Sequence, residues 1–420
     1  MTSLPARKPR ILWASVNCIL DTTSGASMSI REMLLQLVSR GYEVSVLGAT
    51  AFDHPRGIVK LREYWDAIQA KKDQVVNIHD GPLTHRLVVT KSTDRLQITA
   101  EEENVWWSFY CDALDKFKPD LVYYYGGYTL DFLVAAEARD RNIPVVAYLA
   151  NGKYKGNRWC RDVDLVITNS QANVDMYYQK EGIRAISVGS FVNPFFAISP
   201  VHARERLLFV NPLVEKGAGI VIQLAVILEK KRPDIIFEVV ESRDNWNDLV
   251  KRITHMIGNP KESLSNVVVT PNTDDMRPIY SRARMLLAPS LWWESAGRVL
   301  AEAMVNGIPA VITDRGGMAE MVQNAAIRLH LPPECYEQPY NKLPKLNALD
   351  SLIDLLIRVY DDSDFYDNLV AKAHLVGQSV HRLESKTQRL INAITPLLEK
   401  KAGDQNPKVI LKQIHRQGIS

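Results

Sequence analysis

The sequence predicts an α/β protein built from two doubly wound domains. Its 420 residues exceed what one ordinary hydrophobic core accommodates. Short apolar segments of strand length alternate with helical patterns through the first half, and the alternation begins again in the second half. A stretch with two prolines and no sustained period, residues 190–200, separates the two series. We therefore expect an N-terminal domain over 1–196 and a C-terminal domain over 197–382.

The first domain is expected to contain a parallel sheet covered on both faces. Near-continuous apolarity is typical of such buried strands. A helix is predicted over 29–41, because Ile30, Met33, Leu34 and Leu37 recur at helical spacing and Gly41 ends the pattern. The predicted strands are residues 11–16, 42–49, 121–126, 144–150 and 165–170.

The second domain repeats this alternation. Its predicted strands are residues 207–212, 235–241, 266–271, 285–290 and 309–314. Ligands of such sheets bind beyond the carboxyl ends of the strands, so two facing halves would form an interdomain cleft. After an irregular segment at 331–347, we expect one helix over 350–380 and a last helix at 383–400 that crosses back to the first domain. Residues 401–420 are expected to be a loose basic tail.

Composition excludes several classes of function. A net charge of +3 does not favour a nucleic-acid partner, and 46% apolar with 24% charged residues is typical of a globular protein. The four cysteines show no metal-binding spacing, which favours a reducing compartment. No apolar run reaches the length of a membrane span, and the N-terminus lacks a signal-peptide pattern. We expect a cytoplasmic protein, with peripheral contact of the tail with the inner face of a membrane as an option.

Residues 289–320 form the segment with the strongest functional pattern. A strand is followed by a polar, aromatic loop, a helix from about Ala296 to Asn306-Gly307, a second strand and a turn at 314–317. Glu294 and Glu302 lie eight positions apart, which on a helix is one face and ~12 Å. A glycosidase pair needs ~5 to 9.5 Å, so hydrolysis by this pair is disfavoured. Two carboxylates spread along one ligand could instead hold hydroxyl groups, although a solvated helix face gives the same spacing.

Three glycine-bearing loops are suited to phosphate. Lys216 precedes Gly217 at the start of a helix, where a point charge adds to the free N–H groups of the first turn. Gly25 lies between the first strand and the first helix, and Gly316-Gly317 opens a helix that contains Glu320. None of these loops is a GxGxxG or P-loop motif, and a solvated lysine at a helix start would look the same.

Two further groups of side chains could complete a ligand site. Asn272 follows a predicted strand at the same edge and could read a base, or it could belong to a surface loop. Trp292 and Trp293 precede Glu294, and their faces could bind a sugar ring or pack into the core. The sequence thus combines loops suited to binding phosphate with carboxylates suited to binding hydroxyl groups. This combination indicates a nucleoside diphosphate with polyol groups, which is a sugar nucleotide.

Together these segments resemble the family 4 retaining glycosyltransferases of the GT-B fold. The resemblance rests on PS…ESAGRVLAEAMVNGIPAVITDRGG with its E-x7-E pair, on VEKGAG around Lys216, and on DLVITNS with its following helix. It implies two Rossmann-like domains facing a cleft, and transfer with retention from a nucleoside-diphosphate sugar. It further implies that Glu302 binds the ribose, Glu294 the donor sugar and Lys216 the diphosphate. The remaining donor-side residues that it implies are Gly25, Gly217, Ser295, Ala296, Gly297, Gly316 and Gly317.

The sequence departs from that family at three positions. One is the end of the strand over 121–126, where many members have a histidine and this sequence has none. Asn211 stands where many members have an arginine, and Asn151 follows Ala150 where many have a histidine. Arg298, Lys153 or Arg315 could supply the missing charge.

The function expected from these residues is glycosyl transfer. Asn151 and Tyr154 are weak candidates for the acceptor side, and the acceptor itself stays unidentified. We expect no metal and no cofactor beyond the nucleotide-sugar co-substrate. Two alternatives stay open, a catalytically impaired binding or partner subunit and a sugar-nucleotide isomerase.

Overall fold

The computed structural model describes residues 7–125 and 128–399, and these form two compact units. The first unit runs as far as Phe191 and resumes at Leu383, and the second spans Val192–Arg382. The helix after Leu383 thus belongs to the first unit although it follows the second unit in the chain. Within the described residues, no helix combines the length and the apolarity that crossing a membrane requires.

The first unit contains an eight-stranded sheet with the order β3-β4-β2-β1-β5-β6-β7-β8. All five predicted strands are present. The hairpin β3–β4, the one antiparallel pair of this sheet, was not predicted, because alternating polar residues such as His79 and Arg86 weaken its apolar signal. The strands are β1 (Arg10–Ala14), β2 (Glu43–Ala49), β3 (Val75–Asp80), β4 (Leu83–Val88), β5 (Leu121–Tyr125), β6 (Val145–Leu149), β7 (Leu165–Thr168) and β8 (Ile186–Ser187).

Five helices connect these strands: α1 (Gly25–Ser39), α2 (Trp65–Gln69), α3 (Ala100–Phe117), α4 (Thr129–Asp140) and α5 (Gln171–Glu181). The first helix begins at Gly25, four residues before the predicted start, because the Ser24 hydroxyl accepts a hydrogen bond from the Ser27 backbone N–H and caps it. The aromatic segment of α3 buries Trp106 and Tyr110 in the core. Those two rings therefore serve packing.

The second unit contains a six-stranded, fully parallel sheet with the order β11-β10-β9-β12-β13-β14. The strands are β9 (Arg206–Val210), β10 (Phe237–Val240), β11 (Val267–Thr270), β12 (Ala283–Ala288), β13 (Ala310–Ile312) and β14 (Ala326–Arg328). The direction of chain progression reverses between β9 and β12, where doubly wound sheets open a crevice at the carboxyl ends. The loops after β9 and β12 therefore occupy the position where a ligand is expected.

The helices of the second unit are α6 (Pro194–Ala197), α7 (Ala218–Lys231), α8 (Trp246–Met256), α9 (Arg277–Arg282), α10 (Arg298–Val305), α11 (Met318–Val322), α12 (Asp350–Asp361) and α13 (Ser363–Ser379). The single helix predicted over 350–380 is wrong. Asp362 divides it, because its extended backbone starts a new helix and its carboxylate accepts a hydrogen bond from the Phe365 N–H at 2.9 Å.

The last helix, α14 (Leu383–Leu398), buries one face in the core of the first unit. Leu390, Ile394 and Leu397 pack in the same apolar cluster as Ile30 and Leu34 of α1. The Lys386 ammonium donates a hydrogen bond to the Ser190 carbonyl at 2.7 Å. The predicted basic tail, 401–420, lies outside the described residues.

Candidate functional site

The candidate site lies at the carboxyl edge of the second sheet, in the loops that follow β9, β12 and β13. The loop after β9 makes a single helical turn over Val214–Lys216, and Gly217 then leads into α7. Gly217 has a φ of +87°, and a Cβ at this position would overlap the Pro289 carbonyl oxygen. Only glycine satisfies both conditions, so the β9 loop and the β12 loop approach each other backbone to backbone.

Backbone hydrogen bonds join the three loops. The Glu215 carbonyl accepts from the Leu291 N–H at 2.9 Å and from the Trp292 N–H at 3.2 Å, which ties the β9 loop to the β12 loop. The Glu294 carbonyl accepts from the Gly317 N–H at 2.8 Å, which ties the β12 loop to the β13 loop. Gly316 has a φ of +68°, and a Cβ there would overlap the Glu294 carbonyl oxygen. The turn glycines therefore permit this close pairing.

Glu294 lies in the loop before α10, as the predicted helix start near Ala296 implied, so the helical spacing considered for the two glutamates does not hold. Glu294 pairs with Gly316 as an isolated parallel bridge, and α10 begins only at Arg298 after Gly297. The predicted start near Ala296 was two residues early, since Gly297 has a φ of +81° and caps the helix. The helical estimate of ~12 Å between the two glutamates therefore does not apply to this pair. Ser295 and Ala296 are buried in the loop between them.

Lys216 and Glu294 form an ion pair at the centre of the site. The Glu294 carboxylate accepts from the Lys216 ammonium and, at 3.0 Å, from the Ser290 hydroxyl. The Lys216 ammonium also lies 4.9 Å from the centre of the Trp292 ring, within reach of a cation–π interaction. Burial raises the pKa of the Glu294 carboxyl, but the charge and hydrogen bond of Lys216 and two further hydrogen bonds together lower it by more, so the net pKa lies below its ordinary value. The Glu294 carboxylate is thus charged at neutral pH.

Glu302 lies on α10, where two donors hold its carboxylate. The Arg298 guanidinium, one turn earlier on the same helix, donates to one oxygen at 2.8 Å. The Tyr280 hydroxyl of α9 donates to the other at 2.6 Å. Tyr280 is fully buried, and that burial with the neighbouring Glu302 charge raises its pKa well above the ordinary value, so the phenol stays a donor. The orientation of Glu302 is therefore fixed from two sides.

Two asparagines occupy different places at this edge. Asn211 follows β9 directly with a φ of +62°, and its backbone N–H donates to the Val240 carbonyl at 2.9 Å. Its side-chain Oδ1 is buried and accepts no hydrogen bond from the part of the chain that the structure describes. Asn272 follows β11, the outer strand of the sheet, so β10 separates its strand from that of Asn211. Asn211 and Lys216 thus both follow β9, whereas Asn272 follows β11, two strands away in the sheet.

The first-unit candidates lie at the carboxyl edge of the other sheet. Gly25 is the first residue of α1, after β1. The Asn151 carbonyl, after β6, accepts from the Tyr177 hydroxyl, and the Tyr177 oxygen accepts from the Tyr154 N–H at 3.3 Å. The Tyr154 ring packs 5.4 Å from that of Trp159. Tyr154 and Asn151 are therefore joined through Tyr177. Gly25 follows β1, and β5 lies between β1 and β6 in the sheet.

The sequence reasoning missed several side chains at these two edges. Tyr280 reaches Glu302 only through the tertiary fold, whereas Ser290, which donates to Glu294, stands in the quoted PS…ESAGR segment but was given no role. Asp21 is buried after β1, where its carboxylate accepts from the Thr23 N–H at 2.7 Å and the Asp53 N–H at 2.7 Å. Burial and the Asp53 charge raise the pKa of Asp21 to about 6. The position of Asp21 in the turn that precedes Gly25 could have identified it as a candidate from the sequence.

Comparison with known proteins connects this edge to sugar chemistry. Residues 195–348 match the family model described as Glycosyl transferases group 1. Spore coat protein SA of Bacillus subtilis (strain 168) is 27% identical over 128 residues, which cover 29% of this chain and 34% of that protein. The chain thus matches about a third of the length of this curated relative. The matched family segment contains Lys216, Glu294 and Glu302.

Solved structures are similar along nearly the whole chain. A glycosyltransferase from Rickettsia africae ESF-5 has a TM-score of 0.66 at 13% identity, covering 94% of this chain and 100% of that one. Anabaena Alr3699/HepE in complex with UDP and glucose has a TM-score of 0.64 at 14% identity, covering 92% and 100%. At such identities the likeness shows the fold.

The fold is therefore the GT-B fold of glycosyltransferases, with two Rossmann-like domains. Within it, residues 195–348 match the glycosyl transferases group 1 model, and this matched segment contains the loops described above.

Proposed function

We propose that this protein is a retaining glycosyltransferase that moves a sugar from a nucleoside-diphosphate sugar to an acceptor hydroxyl. The observation that carries the proposal is the Lys216–Glu294 pair beside the Trp292 ring, at the carboxyl edge where doubly wound sheets bind ligands. The HepE structure holds UDP and glucose in the same fold, and UDP with a hexose is the ligand class that we infer here.

Lys216 would hold the diphosphate. Its ammonium lies at the entrance to α7, whose first N–H groups and positive dipole end favour an anion. As the bond between the anomeric carbon and the diphosphate oxygen breaks, negative charge grows on that oxygen. A fixed positive charge stabilises this charge without a general acid. We propose that no metal is needed for the leaving group, since Lys216 and the backbone N–H groups carry this role.

Glu294 would hold hydroxyl groups of the donor sugar. Its carboxylate already accepts from an ammonium and a hydroxyl group, which makes it a poor nucleophile and a good hydrogen-bond acceptor. We therefore propose that the acceptor attacks on the face from which the diphosphate departs, its proton passing to the departing phosphate oxygen. Such a path retains the anomeric configuration, which NMR of the isolated product would report directly.

Glu302 would bind the ribose hydroxyls, with Gly25, Gly217, Gly297, Gly316 and Gly317 allowing the backbone to approach the donor. Ser295, Ala296, Asn211 and Asn272 belong to the same donor-side proposal. The acceptor could be a polysaccharide, a lipid-linked glycan, a protein or a small molecule, and Asn151 and Tyr154 are its candidate contacts. A cytoplasmic location, with peripheral membrane contact, also stays a prediction of the sequence.

The test is nucleotide release from a panel of UDP-, GDP- and ADP-sugars, with and without crude lipid and protein acceptors. We expect Lys216→Met and Glu302→Ala each to lower turnover by about 100-fold or more, because each removes a group that holds the donor in the transition state. Lys261→Met is the matched control: its ion pair with Glu229 is about as buried as that of Lys216 but lies before β11, away from the carboxyl-edge loops. Full activity in both site variants would refute the assignment.

Two outcomes of the same panel separate the alternatives. A folded wild type that binds a sugar nucleotide but releases no nucleotide with any acceptor would favour a binding or partner subunit, for which Asn211 in place of arginine is the motivation. A donor sugar that changes configuration with no acceptor present would favour an isomerase.

A further inference from the structure

We propose that the buried hydroxyl of Tyr280 is a positioning group that, with Arg298, orients the Glu302 carboxylate to bind the two adjacent hydroxyls of a ribose. The inference rests on the proposed function. It explains how the nucleotide half of the donor site recognises the ribose. Tyr280 lies on α9, outside the 289–320 segment that carries the two glutamates.

The first step concerns the acceptor capacity of Glu302. An ionised carboxylate has about four acceptor positions, two on each oxygen. In the structure one oxygen accepts from Arg298 at 2.8 Å and the other from Tyr280 at 2.6 Å. One position is therefore used on each oxygen, and each oxygen can accept one further hydrogen bond. Two remaining acceptor positions on one carboxylate match in number the two donors of a vicinal diol.

The second step concerns rigidity. The Glu302 side chain is 12% exposed, so it is nearly buried yet reachable. The Tyr280 ring is fully buried in the same apolar cluster as Leu300 and Met304, which flank Glu302 on α10. The hydroxyl therefore cannot move independently of the helix that carries Glu302. A ligand finds the carboxylate already oriented, and less conformational freedom is lost when it binds.

The third step separates positioning from a purely structural role. A buried tyrosine hydroxyl needs a partner, and Glu302 could simply be that partner. In that case, loss of the hydroxyl would change the stability of the protein without changing which nucleotides it prefers. If Tyr280 orients the carboxylate, loss of the hydroxyl must specifically weaken recognition of the diol.

The experiment compares binding of UDP, GDP and ADP with that of their 2′,3′-dideoxy forms by titration calorimetry. For the wild type we expect the ribose form of the preferred nucleotide to bind about 100-fold more tightly, because two hydrogen bonds to a charged group are lost in the dideoxy form. For Tyr280→Phe, which keeps the ring in the core, we expect this ratio to fall to about tenfold, mainly through weaker binding of the ribose form. Arg298→Met should reduce the ratio in the same direction.

The matched control is Tyr366→Phe. Tyr366 is another buried tyrosine of the second unit, and its hydroxyl donates to the Arg284 backbone carbonyl at 2.9 Å, not to a glutamate. It should leave the ratio unchanged. A wild-type ratio in folded Tyr280→Phe overturns the positioning role while leaving the proposed function intact. A wild type that binds none of the three nucleoside diphosphates refutes the proposed function, and this inference with it.

Discussion

Replacing Lys216 by methionine should destabilise the second unit in a way that depends on pH. Methionine keeps most of the length and apolar volume of the lysine but leaves the Glu294 carboxylate without its counterion. The side chains of Lys216 and Glu294 are 25% and 10% exposed. Breaking a fully buried pair costs about 3–5 kcal/mol, and partial exposure of the lysine reduces this to about 2 kcal/mol. For a domain of about 150–250 residues, that cost lowers the Tm by about 5 °C.

The sign of the pH dependence follows from the pKa of Glu294. In the wild type, burial raises this pKa, and Lys216 together with two further hydrogen bonds lowers it by more, so the folded pKa is depressed. A depressed carboxyl pKa contributes stability above the unfolded value of about 4.3, and this contribution is lost as pH falls through the folded pKa. Without Lys216, burial remains and the pKa should lie above the ordinary value. The cost of Lys216→Met should therefore be smallest near about pH 4 and full near about pH 7.

The assay is the midpoint of urea unfolding at several pH values, followed by tryptophan fluorescence. Lys261→Met is again the control, since its pair with Glu229 has side-chain exposures of 26% and 13%. Glu229 also accepts from the N–H and the hydroxyl of Ser265, so its carboxylate stays better satisfied after the substitution. The reasoning fails if Lys216→Met costs the same at acidic and neutral pH, or if it costs less than Lys261→Met.

Two other substitutions test the backbone and the first unit. Gly217→Ala should lower the free energy of unfolding by about 2–3 kcal/mol more than Gly258→Ala, as measured by thermal unfolding. Both glycines have positive φ, but only the Cβ at Gly217 would overlap the backbone. Equal losses in the two variants would contradict this. Asp21 has a folded pKa raised to about 6, so its contribution to stability is present below the unfolded pKa and is lost as pH rises through about 6. Asp21 should account for a loss of about 2 kcal/mol between about pH 4 and 7, and Asp21→Asn should reduce the slope of the wild type by that amount; an unchanged slope would show that Asp21 does not contribute to it.

Strands and helices whose apolar residues and end signals are local in the sequence could be predicted from it. Strands such as β1 and β12 are apolar throughout and bounded by polar residues, and helix ends such as Asn306-Gly307 carry their own stop signal. The β3–β4 hairpin was missed because one face of each strand is polar. The start of α1 was misplaced because a single hydroxyl, that of Ser24, decides it.

The site was predictable in composition but not in geometry. Lys216, Glu294 and Glu302 were identified as candidates, and the structure pairs the first two directly. The helical spacing considered for Glu294 and Glu302 does not hold, because the backbone of Glu294 pairs with Gly316, more than twenty residues later in the chain. The hydrogen bond from the Tyr280 hydroxyl to Glu302 depends on how α9 packs against α10, and no sequence periodicity indicates such packing.

The position of α14 has a consequence for how the protein is made. A chain emerging from the ribosome exposes its N-terminal domain first, and domains generally fold as units in that order. Here Leu390, Ile394 and Leu397 complete the core around α1, so the N-terminal domain lacks part of its interior until the second unit has been synthesised. Its apolar groove along α1 stays open throughout translation of the second domain. A nascent chain stalled before residue 383 would therefore present a binding surface for chaperones.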